Sequence, residues 1–119
     1  MAGPLDIAAA AEDVVASLRS AGLRATVEPA EINPPAAWVT ARTMAHNLLG
    51  GGGTVAVDVY LIAPDTGTAQ ALRTLSSLLD KALTVIDPDT DTSLAEAVTL
   101  PGGGAPLPAF RVTVNHETC

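Results

Sequence analysis

Leu5, Ala8, Ala11, Val14 or Val15, and Leu18 recur at three- and four-residue steps, the spacing that lines one face of a helix. Asp6, Glu12 and Asp13 fall in the first two-thirds of that stretch and Arg19 near its end, which suits a helix dipole. Gly22 stands where a C-terminal stop belongs. A first helix is therefore predicted from about Pro4 to Ala21. The pattern then changes period. Leu23, Ala25 and Val27 alternate with polar neighbours up to Pro29, which cannot donate to a strand ladder. Beyond an Asn33-Pro34-Pro35 corner, Ala37 to Ala41 reads as a second strand. Thr54 to Ala63 is the clearest strand of all, with Val55, Val57, Val59 and Leu61 on one face. Ala56, Asp58, Tyr60 and Ile62 share the other face, a mixed set expected to be partly exposed or to meet another subunit.

Pro64-Asp65-Thr66 reads as a turn with an N-cap, opening a second helix that runs to about Ile86. Leu72, Leu75, Leu79, Leu83 and Ile86 trace its expected buried stripe, widened by Leu78. Asp87-Pro88 ends it. Leu94 to Leu100 is a further strand, and Ala109 to Asn115 the last, with Phe110, Val112 and Val114 inside. The predicted order is α-β-β-β-α-β-β in one domain covering residues 1–119. The fold class that follows is α+β, with two helices packed on one face of a mixed, mostly antiparallel sheet. Two Gly-rich segments, Arg42 to Gly53 and Pro101 to Pro106, are left as loops.

Composition narrows the function. Six basic residues face 13 acidic ones, for a formal charge of −7. The cations stand singly at Arg19, Arg24, Arg42, Arg73, Lys81 and Arg111. Gripping nucleic acid requires clustered cations to neutralise phosphates, so direct binding is not expected; a surface that nucleic acid passes without sticking is compatible. With one Phe, one Tyr and one Trp, the core must be aliphatic and small, and association would relieve a marginal monomer. Cys119 is the only cysteine, so no internal disulfide forms. The acidic, Ala-rich N-terminus lacks the pattern of a signal peptide. No apolar run reaches the roughly 20 residues of a membrane span. A soluble protein made in a cytoplasm is the expectation.

Candidate chemistry fails on spacing. Asp87, Asp89 and Asp91 open a calcium-loop pattern, but Thr92 and Val98 stand where Gly and a bidentate Glu are required. Gly50 to Gly53 precede a strand and no Lys-Ser/Thr, unlike a phosphate-binding loop. His46 and His116 have no second Cys or helical His spacing to build a zinc site, and read as surface residues. No serine sits in a Gly-x-Ser-x-Gly elbow. Glu12 and Asp13 are helix neighbours that point apart. No enzyme activity, cofactor or metal is expected. Trp38 has two open readings, a core side chain or the anchor of a subunit contact. The Asn33-Pro34-Pro35 corner is likewise either a stiffened turn or part of a contact.

These residues carry one resemblance. An Ala-rich first helix, a short strand, Asn33-Pro34-Pro35, then Ala36-Ala37-Trp38-Val39, the strand Val55 to Ile62 and the helix Thr68 to Val85 together resemble the tail terminators of long-tailed phages. The resemblance covers most of the chain. It implies a structural virion protein at the head end of the tail, assembled in the host cytoplasm. Such a protein forms a hexameric ring that caps the tail tube, ends its polymerisation and docks head-completion proteins. Its implied partners are further copies of itself, the major tail tube protein and a head-completion or connector protein. DNA would pass through the ring without specific binding, and no membrane is involved. In that picture the Arg42 to Gly53 segment, with His46, Asn47, Gly50, Gly51 and Gly52, is the first candidate for contacts, and Gly103 in its loop the second. Asn33, Pro34, Pro35, Trp38, Asp58 and Tyr60 complete the candidate contact set. Another head–tail connector subunit, or a small ligand-binding regulatory domain, are the alternative roles.

Overall fold

The computed structural model describes residues 7–46, 53–89 and 91–118. Helix α1 spans Ile7–Ser20 and buries Ala10, Ala11, Val14, Val15 and Leu18. Gly22 ends it as the sequence predicts. At φ 92° it lets the Leu23 amide turn back to the Leu18 carbonyl at 3.1 Å, the backbone closure that glycine makes easy. Arg19 then donates from Nε to the Ala25 carbonyl at 3.0 Å, which ties the helix end to the first strand.

Five strands follow the predicted order around a second helix: β1 (Ala25–Thr26), β2 (Ala36–His46), β3 (Gly53–Ile62), α2 (Thr68–Ala82), β4 (Ser93–Val98) and β5 (Leu107–Thr118), with a 3-10 turn at Pro29–Glu31. They form one sheet in the order β1-β2-β3-β5-β4. The sheet is mixed. β1 runs parallel to β2, and the β2–β3, β3–β5 and β4–β5 pairings are antiparallel. Val55, Val57, Val59 and Leu61 of β3 join Val39 of β2 and Phe110, Val112 and Val114 of β5 beneath α1 and α2 in a single core. Both helices thus lie on one sheet face, as an α+β arrangement requires. A smaller cluster sits at one end of the opposite face, where Ile62, Val98 and Ala109 are covered by Ile32, Trp38, Tyr60, Leu100 and Leu107. Among the described residues no helix is long and apolar enough to cross a membrane.

Three elements differ from the sequence expectation, each for a physical reason. β2 does not stop at Ala41 but runs to His46, because a bulge at Arg42 shifts the register between Ala41 and Thr43. An inserted residue breaks period-2 alternation, so core-facing positions run 37, 39, 41 and then 44, and the pattern hides the second half. The expected Arg42–Gly53 loop is to that extent strand. β1 shrinks to two residues, since Pro29 opens the 3-10 turn. α2 is capped by Gly67 with no side-chain hydrogen bond, so neither Asp65 nor Thr66 acts as the cap. Its buried stripe is Ala71, Leu75, Leu78 and Ala82, while Leu72 and Leu83 are 46% and 43% exposed. The small alanines let the helix lie close to the sheet and rotate two leucines outward.

Candidate interaction surface

Alternation along β2 and β3 brings several predicted contact residues together on the face opposite the helices. The register sets Trp38 against Tyr60 and Thr40 against Asp58, then Tyr60 against Arg111 and Asp58 against Thr113. The Trp38 and Tyr60 rings stack with centroids 5.3 Å apart and planes 25° apart, an offset geometry that aromatic quadrupoles favour. Trp38 Nε1 donates to the Val27 carbonyl at 3.3 Å, which fixes the indole to the segment after β1. Trp38 is only half-buried, so it closes the small second cluster and presents an edge outward.

Beside the stack lies a buried carboxylate. Asp58 is 2% exposed, on a face expected to be partly exposed or to meet another subunit. Arg42 donates from Nε to Asp58 Oδ2 at 2.9 Å, and Thr113 donates from Oγ1 to Oδ1 at 2.8 Å. A buried charge of this kind must be paired, and Arg42, two residues beyond the Thr40 that faces Asp58, supplies the partner. The Arg42 side chain itself is 49% exposed, so the guanidinium covers Asp58 and still meets solvent. Further along the row, Arg111 Nη2 lies 3.7 Å from Glu96 Oε2. Ser93 donates from Oγ to the same Glu96 oxygen at 2.8 Å. A hydrogen bond donated to the Tyr60 hydroxyl, and then the Glu96 charge, push the Arg111 pKa further up. The result is a band of Trp38, Tyr60, Arg111 and Glu96 across β2, β3, β5 and β4.

Comparison of the chain with protein-family models, with curated proteins and with solved structures returns no match. The surface therefore has to be read from its own chemistry.

The remaining predicted contacts divide. The Asn33-Pro34-Pro35 corner, with a cis Pro34–Pro35 bond, adjoins the band through Ile32, which packs on the same cluster as Trp38 and Tyr60. Asn33 and Pro35 are exposed. His46 pairs by its backbone with Gly53, which is buried in β3. A Cβ on Gly53 would run into the Ala45 carbonyl and Met44 Cε, so this glycine permits close strand approach rather than a loose loop. Asn47, Gly50, Gly51 and Gly52 lie outside the described residues. Gly103, at φ 89°, is exposed in the β4–β5 connection, its amide donating to the Leu100 carbonyl at 2.9 Å.

Sequence reasoning passed over Arg111, Thr113, Ser93 and Glu96, which the β5 register alone brings to the band. His116, read from the sequence as a surface residue, is partly exposed and pairs with the first helix. Its Nε2 lies 3.2 Å from Asp13 Oδ2 of α1, with the imidazole 31% exposed, and its buried Nδ1 has no hydrogen-bond partner among the described residues. No spacing in the sequence signals that pair. A second surface appears along α2 and β4, an open groove of about 340 Å³ lined by Leu72, Leu75, Leu94, Pro106, Leu107 and Pro108 among others. Leu94 is 60% exposed there. Among the described residues no three His, Cys, Asp or Glu side chains are grouped to hold a metal ion.

Proposed function

We propose that this chain is an assembly subunit of a phage virion, a tail terminator that forms a ring on the end of the tail tube. The observation that carries the reading is a sheet face that neither helix covers. Trp38 stacked on Tyr60, with Arg42 and Arg111 alongside, combines the three residue types most enriched at the centres of protein interfaces. The stack, the Val27 hydrogen bond and the Asp58 network hold these side chains in place before any partner arrives, which lowers the entropic cost of association. The partners are further copies of the chain, the major tail tube protein and a head-completion protein.

The charge supports the same role. Each copy contributes −7, and a ring multiplies that field. Negative charge lining a channel repels phosphate, so DNA crosses without sticking. The protein then acts at the head end of the tail, within the virion. The direct biochemical test adds purified chain to tail tube subunits that are polymerising. Arrested elongation with the chain seated on tube ends is expected. Tubes that elongate unchanged at saturating chain would overturn the role.

A further inference from the structure

Two of the chain's six cations stand on strands, Arg42 on β2 and Arg111 on β5. Both belong to the sheet face that neither helix covers. Two carboxylates stand with them, Asp58 on β3 and Glu96 on β4. In sheet order the four run Arg42, Asp58, Arg111, Glu96, a row whose sign alternates from strand to strand. Arg42 is bonded to Asp58 at 2.9 Å, and Arg111 lies 3.7 Å from Glu96. The Tyr60 hydroxyl, then the Glu96 charge and, more weakly, the Asp58 charge favour the charged form of Arg111. The two halves of the row are thus in electrostatic contact.

The two signs lie at different depths. The Arg42 and Arg111 side chains are 49% and 39% exposed, against 3% for Asp58 and 27% for Glu96. Each acid is also held from within the sheet. Thr113 donates to the second oxygen of Asp58, and Ser93 to the Glu96 oxygen nearest Arg111, both at 2.8 Å. Arg42 bonds Asp58 through Nε, and a guanidinium carries further N–H donors on both terminal nitrogens. The row therefore balances in charge yet turns its cationic side to solvent, on a chain of formal charge −7. Tyr60 stands opposite both Trp38 and Arg111, so the aromatic stack adjoins the exposed guanidiniums.

Charge complementarity selects the occupant. A guanidinium fork gives a carboxylate two parallel hydrogen bonds, and an apolar neighbour of that carboxylate would meet the aromatic stack. A phosphate backbone fits poorly, because two arginines above two carboxylates cannot neutralise a run of phosphates. A second copy of this chain approaches with −7 against −7, a repulsion that acts before contact.

From these observations we propose that this face binds a segment of a different protein through an Asp or Glu side chain held by Arg42 and Arg111. The apolar neighbours of that acid lie on the Trp38–Tyr60 stack. Glu96 is the internal carboxylate that competes for Arg111. The proposal rests on the reading of this face as an assembly surface and names the chemistry of what it takes.

The test titrates the full chain, under reducing conditions, with acetyl-Leu-Glu-Leu-Glu-Leu-amide and with the same peptide carrying Gln in place of Glu. Binding is read by NMR from the indole N–H of Trp38, the chain's one tryptophan, and from the arginine Nε–H signals. The Glu peptide is expected to shift these signals and to bind about tenfold or more tighter than the Gln peptide, the ratio a charged hydrogen bond supports. Arg111→Gln is expected to abolish that preference. Glu96→Gln is expected to raise affinity for the Glu peptide severalfold by releasing Arg111, a gain that a merely structural Glu96 would not give. Equal affinity for the two peptides, no gain in Glu96→Gln, or no shift at millimolar peptide would each overturn the proposal. So would a short DNA duplex that shifts the same signals in place of the Glu peptide, or a Trp38 signal that moves on dilution of the chain alone, which would give the face to a second copy. The terminator role fails separately. A chain that binds the Glu peptide as described, yet whose omission leaves phage tail length unchanged, keeps the carboxylate contact and loses the role.

Discussion

Arg42, the residue at the bulge of β2, covers the buried carboxylate of Asp58 in β3. The guanidinium Nε sits 2.9 Å from a carboxylate that is almost wholly buried, and Thr113 holds the carboxylate's other oxygen. Arg42 thus supplies the cation that a buried acid needs. Arg42→Ala leaves Asp58 with one neutral donor in place of a charged pair. Since the arginine is half exposed, the expected loss of stability is about 1–3 kcal/mol, read by urea unfolding. A variant within experimental error of wild type would show that the pair contributes nothing.

The rotated stripe of α2 gives a sharper contrast between neighbours. Ala82 is fully buried and Leu83 is 43% exposed. Ala82→Leu is expected to cost about 1–3 kcal/mol by overpacking. Leu83→Ala is expected to stay within about 0.5 kcal/mol in the monomer. Thermal or urea denaturation of the pair checks this, and the reverse ranking would restore the stripe that leucine periodicity suggests.

Trp38 and Tyr60 are expected to be coupled. A double-mutant cycle with Trp38→Ala and Tyr60→Ala measures their interaction apart from the burial of each. A coupling of about 0.5–1.5 kcal/mol is the ordinary value for stacked aromatics. Zero coupling would mean that the stack does not stiffen the sheet face.

Gly53 and Gly102 form a control within one chain. A Cβ at Gly53 meets the Ala45 carbonyl and Met44, whereas nothing lies within 4 Å of a Cβ at Gly102. Gly53→Ala is expected to lower stability by about 1–3 kcal/mol through forced backbone movement, and Gly102→Ala to be nearly neutral. Equal effects at the two sites would contradict the close strand approach at the hairpin.

Much of the fold was legible in the sequence because its signals are local. Val55, Val57, Val59 and Leu61 alternate without interruption, as do Phe110, Val112 and Val114, and Gly22 marks a helix end by itself. The errors arise where one residue changes the phase or where small side chains do the packing. Arg42 resets the alternation of β2, so Met44 looks out of step although it faces the core. Leucines at 72, 75, 78, 79 and 83 support two overlapping stripes on α2. Ala71 and Ala82, which decide between them, carry no hydrophobic signal strong enough to show it.

The candidate surface was less legible. Trp38, Asp58 and Tyr60 could be assigned to one face by period alone, and Arg42 to their neighbourhood. Arg111, Thr113 and Glu96 join them through strand order, since β5 lies between β3 and β4. Sheet order depends on long-range pairing that no local pattern encodes. The charge row from Arg42 to Glu96 was invisible for the same reason, because a row across strands exists only once the order is known.

The proposed role is to end tail-tube growth as an assembly subunit. Phage particles assembled without it, with tail lengths measured by electron microscopy, test that most directly. Overlong tubes detached from heads are the expected result. Tails of normal length would contradict it, and filled heads lacking tails would move the chain to the head side of the joint.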